Sequence, residues 1–143
     1  MERSLLYVSR KTRSILNDER VVTDIVNRAR LHNEQIGITG ALACTENHFA
    51  QLLEGPKVIL DDLMHRIECD ARHTDFTILR LEAIPCRRLP SWSMAYSGVS
   101  HYVSRQIAPL IGATIGNSCV HVDRLITLLI GLANHPGTSR NPV

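Results

Sequence analysis

The chain has 143 residues, a formal net charge of +2 and four cysteines. The length suits one domain with its own core, and the charge is too scattered for a nucleic-acid footprint, with only Arg10 to Arg13 and Arg87-Arg88 clustered. Cys44, Cys69, Cys86 and Cys119 form no C-x-x-C pair, which argues against a zinc site or disulfide framework and for reduced thiols in a cytoplasmic protein.

The N-terminus enters a strand pattern directly and leaves no room for a signal peptide. Ser4 to Arg10 alternates, with Leu5, Tyr7 and Ser9 on one face and Ser4, Leu6 and Val8 on the other. Lys11 to Asn17 is polar and reads as a loop. Asp18 is an N-cap for a helix over 18–33 whose stripe is Val22, Ile25, Val26 and Ala29. That stripe runs on to Asn33, with His32 beside it, and Gly37 stops the helix.

Ile36 to Gly55 predicts a β-hairpin. Ile38 to Thr45 alternates, Glu46-Asn47 supplies the turn, and Phe49, Gln51 and Leu53 share one face of the second strand. Gly55-Pro56 opens a helix over 56–69 with Ile59, Leu60, Leu63, Met64 and Ile67 inward. Arg66 and Asp70, four apart, can reach each other or a shared ligand. Ala71 to Asp75 reads as a loop, Thr77 to Ala83 as a strand, and Arg87 to Pro90 as a turn. Trp92, Met94 and Tyr96 share one face of a short fifth strand.

In the last third, Ser100 caps a helix carrying Val103, Ile107, Leu110 and Ile111, which Pro109 must bend or end. Ser118 caps a final helix with Val122, Leu125, Ile126, Leu129 and Leu132. Leu128 and Ile130 spill round its other side, a candidate exposed patch for a homo-oligomer or a partner complex. Its longest charge-free apolar run, Leu125 to Ala133, is far short of the ~20 residues that span a bilayer.

The expected fold is α+β: a ferredoxin-like five-stranded mixed sheet with two helices on one face and the C-terminal helices on the other. Residues 1–97 form the core and 98–143 a helical cap of the same single domain.

Tyr7, Ser9, His32, Asn33, Gln51, Arg66, Asp70 and either Trp92 or Met94 point into the space between the sheet and the first two helices, between walls from Ile25 and Ile67. Gln51 stands out, because a buried amide without partners costs about 1–3 kcal/mol. A concave, mostly apolar site with a few convergent polar groups suits a flat heteroaromatic ring, and Arg66 suits a phosphate or ring carbonyl. Taken singly, each residue has a plainer reading: Tyr7, Trp92 and Met94 as core, Gln51 as a structural hydrogen-bonder, Asn33 as a helix end, Arg66 and Asp70 as a surface pair. His73 and His101 read as solvated, with no role.

Taken together, Leu6-Tyr7-Val8-Ser9, Leu31-His32-Asn33, Gly37-Ile38-Thr39-Gly40, Phe49 to Gly55, His65 to His73 and Trp92-Ser93-Met94 resemble the BLUF family of flavin-binding blue-light sensors, over residues 4–96. The resemblance implies a non-covalent flavin, FAD or else FMN, held between the two helices, and makes residues 1–97 the flavin-binding core. It implies that His32 and Asn33 bond the ring edge and that Arg66 and Asp70 hold ring or ribityl oxygens. Ser9, Ile25 and Ile67 complete the binding set. It implies that light moves an electron and a proton from Tyr7, that Gln51 rearranges its hydrogen bonds, and that Met94 or Trp92 passes the change to strand five. His32 stands where many members have a second Asn, Ala29 where Ser is common and Ala50 where Leu is common. The expectation is a short stand-alone sensor, not an enzyme, that signals through an unknown downstream protein partner.

Two other classes share the expected layers. An acylphosphatase-like enzyme needs a phosphate-cradling loop after strand one, and Arg10 to Asn17 lacks the Gly-rich signature. A ferredoxin-like protein-interaction module without photochemistry is the alternative, and a yellow purified protein separates the sensor from both.

Overall fold

The computed structural model describes residues 2–13, 18–89, 95–97, 103–114 and 119–134. The elements are β1 (Glu2–Lys11), α1 (Glu19–Ile36), β2 (Thr39–Cys44), β3 (His48–Pro56), α2 (Lys57–Glu68), β4 (His73–Ile84) and β5 (Ala95–Ser97). A π-helical turn (Val103–Ile107) then leads into α3 (Ala108–Thr114), and α4 (Cys119–Ala133) follows. Strand order is β4-β1-β3-β2-β5. The first four strands pair antiparallel, and the three residues of β5 lie parallel to β2.

The alternation in β1 and β3 decides the layering, because each strand is apolar on both sides. Leu5, Tyr7, Phe49 and Leu53 pack with Val22 and Val26 of α1 and Leu60 and Leu63 of α2. Leu6, Val8, Ala50 and Leu52 pack with Ile107, Ile111 and the inner side of α4. The α+β class, with helices on opposite faces, is as expected. Each fully buried Leu is worth about 1.5–3 kcal/mol, and Leu5, Leu6, Leu52 and Leu53 are at most 1% exposed.

Local signals hold at the helix ends. Asp18 caps α1 by accepting from Arg20 N and Val21 N. Gly37 closes α1 at φ 75°, a left-handed angle costly for other residues. Gly55 has a different reason to be glycine, since a Cβ there would overlap Ile38 Cδ1.

Three expectations change. Residues 73–75 are strand, not loop, because β1 runs on to Lys11 and pairs it with His73. Leu128 and Ile130 are not a free patch but are partly buried against the core beneath α4. α4 packs against α3 as well as the sheet, so more than one of its stripes is covered; Val120 is its exposed large apolar residue. Pro109 does not end the predicted helix, which runs on as α3 to Thr114, but stands just after the change from π-helical turn to α-helix. Trp92, Met94, His101 and the two serine caps, Ser100 and Ser118, lie outside the described residues.

β4 is one edge of the sheet, opposite β5, and its pairing to β1 slips between Leu6 and Tyr7 and again between Val8 and Arg10. At the other end of β1, the segment after β4 is clamped by Glu54. This fully buried carboxylate accepts from Arg88 N at 2.7 Å, Leu89 N at 2.8 Å and Arg88 Nε at 3.0 Å. Leu89 thereby reaches the core under α4. No described helix is long and apolar enough to cross a membrane.

Candidate ligand cavity

A cavity of about 310 Å³ opens between α1, α2 and the sheet, at the lower end of the range for small-molecule sites. Its apolar lining comes from Leu42, Phe49 and Leu53 of the sheet, Ile25 and Ala29 of α1, and Leu63 and Ile67 of α2. Tyr7 and Gln51 add polar atoms from the sheet, and His32, Asn33, Arg66 and Asp70 add them from the two helices and the turn after α2.

Tyr7 and Gln51 face each other directly across β1 and β3, so their side chains leave the sheet on the same side. The Tyr7 hydroxyl donates to Gln51 Oε1. Both residues are buried, at 4% and 5% exposure. Burial pushes the Tyr7 phenol far above its ordinary value, with Cys44 and Asp70 adding to the effect. Tyr7 therefore keeps its proton at neutral pH, and the amide oxygen is the acceptor. The slips in β4 pairing near Tyr7 are of the kind that re-aims side chains, and the Phe76 ring, at the second of them, lies 4.7 Å from the Tyr7 ring.

Asn33 both ends a helix and faces the cavity. Its carbonyl accepts from the N–H groups of Gly37 and Ile38 and closes α1, while the residue, 2% exposed, lines the cavity. His32 and Arg66 meet across the cavity at 3.0 Å between Nε2 and Nη1. A guanidinium only donates, so His32 Nε2 is the acceptor. Asp70 does not pair with Arg66. It takes a bidentate contact from Arg72, at 2.9 Å to Nε and 2.6 Å to Nη2, which holds its carboxyl below the usual range despite partial burial.

Ser9 is not part of the cavity lining; its hydroxyl is 2.7 Å from His73 Nδ1. Ile25 and Ile67 line the walls as expected. Trp92 and Met94 fall outside the described residues. Sequence reasoning missed Arg28, Arg72 and His73, all of which line the cavity. For His73 the expectation of a solvated ring is corrected: it is half-buried and bonded through both nitrogens. The available signal was its place at the end of the same motif that holds Arg66 and Asp70.

Residues 3–95 match the family model described as BLUF, sensors of blue-light using FAD. The β subunit of a photoactivated adenylate cyclase from Euglena gracilis is 36% identical over 92 residues, 64% of this chain and 10% of that protein. The chain thus spans about a tenth of the length of the curated relatives it matches. The dark-state structure of BlrB, a BLUF protein, superposes with a TM-score of 0.77 at 29% identity, covering 91% of this chain and 96% of that one. The ground state of BlsA gives 0.79 at 26% identity, covering 100% and 95%.

Proposed function

The chain belongs to the BLUF family of blue-light flavin sensors, and from that premise we propose that it binds one flavin non-covalently in the cavity and uses Tyr7 and Gln51 to register light. The carrying observation is the buried Tyr7 to Gln51 hydrogen bond in the floor of a cavity that also presents Asn33, His32 and Arg66. The apolar walls and these polar groups fit a planar ring with donors and acceptors along one edge.

Asn33 and His32 bind the polar edge of the ring, Arg66 and Asp70 bind ring or ribityl oxygens, and Ile25 and Ile67 exclude water from its faces. Ser9 supports the set from behind, through His73. A bound flavin supplies absorption of blue light and an acceptor for one electron. Tyr7 is the electron donor. Its phenolic proton lies on the bond to Gln51 Oε1, so loss of the electron drives that proton toward the amide. Gln51 then turns over or changes tautomer and exchanges its bonding pattern. Met94 or Trp92 carries the change into β5, and from there it reaches a downstream protein partner or a second copy of the chain in the cytoplasm. The alternative of an interaction module without photochemistry leaves the Tyr7–Gln51 pair without a use.

Absorption spectra before and after blue light test this reading. The protein should purify yellow, release FAD on denaturation, and show a reversible red shift absent from Tyr7→Phe. Colourless protein that stays colourless with added FAD and FMN refutes it.

A further inference from the structure

We propose that His73 is a positioning residue that holds the strand of Tyr7 and the end of α2 in fixed relation, and so sets the geometry of the Tyr7–Gln51 hydrogen bond. The inference rests on the sensor reading above and adds a part to it.

The proton on the ring can be placed by its partners. His73 Nε2 lies 2.5 Å from the carbonyl oxygen of Ile67. A carbonyl only accepts, so Nε2 carries the hydrogen. In the neutral ring Nδ1 is then the acceptor, and the Ser9 hydroxyl donates to it at 2.7 Å. Each bond ends on an element of the cavity. Ser9 is 1% exposed and lies two residues beyond Tyr7, on the same face of β1. Ile67 is in the last turn of α2, and its own side chain lines the cavity.

The plane of the ring is held as well. It stands edge-on to Tyr7 at 6.2 Å and 73°, to Phe49 at 6.4 Å and 75°, and to Phe76 at 5.9 Å and 73°. Three such contacts around one imidazole leave it little freedom to tilt. Phe76 also touches Tyr7 directly, so movement of His73 reaches the phenol by two routes. With the ring unbolted, β1 and α2 can part by the slack of two hydrogen bonds, and the angle of the Tyr7 O–H toward Gln51 is no longer imposed.

The test uses the flavin-loaded full chain with His73→Phe, which keeps a ring and loses both bonds, and His73→Gln, whose amide can restore a donor and an acceptor. Flavin content, melting temperature, the red shift and its dark-recovery rate are measured for each. A purely structural role lowers melting and leaves recovery alone. Flavin content is read separately because His73 also lines the cavity, and the red shift and recovery are taken on the flavin-loaded fraction of each variant. Recovery should change about tenfold in His73→Phe, the scale set by one to two neutral hydrogen bonds, and within about twofold in His73→Gln. Nitrogen NMR of the dark wild-type ring should show a protonated Nε2 and an unprotonated Nδ1; the opposite tautomer overturns the assignment. If His73→Phe does not fold, Ser9→Ala removes the same bolt from the β1 side and should shift recovery in the same direction. A wild-type red shift with recovery unchanged in the variants overturns this inference alone, whereas absence of any shift in the wild type overturns the sensor reading and this inference with it.

Discussion

Arg88→Ala should destabilise the fold by about 3 kcal/mol, the low end for breaking a buried ion pair from one side. Glu54 is 0% exposed, and after the substitution it keeps only the two backbone donors Arg88 N and Leu89 N. The Arg88 side chain is 29% exposed, so a cost at the upper end of the usual ~3–5 kcal/mol is not expected. Glu54→Gln retains an oxygen for the two N–H groups but loses the charge and the acceptor of Arg88 Nε, setting an amide NH2 against that donor, at about 1–3 kcal/mol. With ~5–15 kcal/mol available to a domain of this kind, both variants stay folded. Urea denaturation followed by circular dichroism gives the two values. The double variant should fall short of their sum by about 1 kcal/mol, because the groups act on each other. An Arg88→Ala cost below about 1 kcal/mol, or strict additivity, would show that the carboxylate is served by water and not by the clamp.

Tyr7→Phe and Gln51→Leu should each retain flavin and lose the red shift, and the double variant should be no worse, since links of one chain fail together; flash spectroscopy on the three proteins decides it. Asp70 is held below its ordinary value first by the Arg72 side-chain hydrogen bonds. Its contribution to stability is therefore full above the unfolded-state value and is lost as pH falls through the lower folded one. Denaturant midpoints of wild type and Asp70→Asn should differ at about pH 6 and draw together as pH falls below the unfolded carboxylate's value. Gly55→Ala must displace Ile38 Cδ1 and should cost about 1–3 kcal/mol in thermal unfolding; Ile38→Val in the same chain should recover part of it.

What was legible in the sequence was whatever depends on near neighbours. Period-two alternation in β1 and β3 separated Leu5, Tyr7 and Gln51 from Leu6, Ala50 and Leu52, and that division decides which helices cover which face. Asp18 and Gly37 marked the ends of α1 through local chemistry. His73 was illegible because its meaning lies in Ser9, 64 positions away, and in a main-chain oxygen, neither of which has a pattern of its own. The role of Glu54 has no local signal, since its partners arrive from a turn 34 and 35 positions later. Leu128 and Ile130 misled because one helix's apolar excess does not reveal which elements pack against it.

The slips in register along β4 also bear on how this protein behaves in a crowded solution. An outer strand of 12 residues is a ready template for another chain, and a straight one would offer evenly spaced free amides to any passing strand. Here the two slips break that spacing beside Tyr7 and again beside Ser9. Arg80, tied to Asp123 of α4, and Glu82, near Arg88, put charge along the same strand. Straightening β4, by deleting one of the residues that creates a slip, would lengthen the regular ladder. The cost would appear first as turbidity on concentration, before any loss of fold.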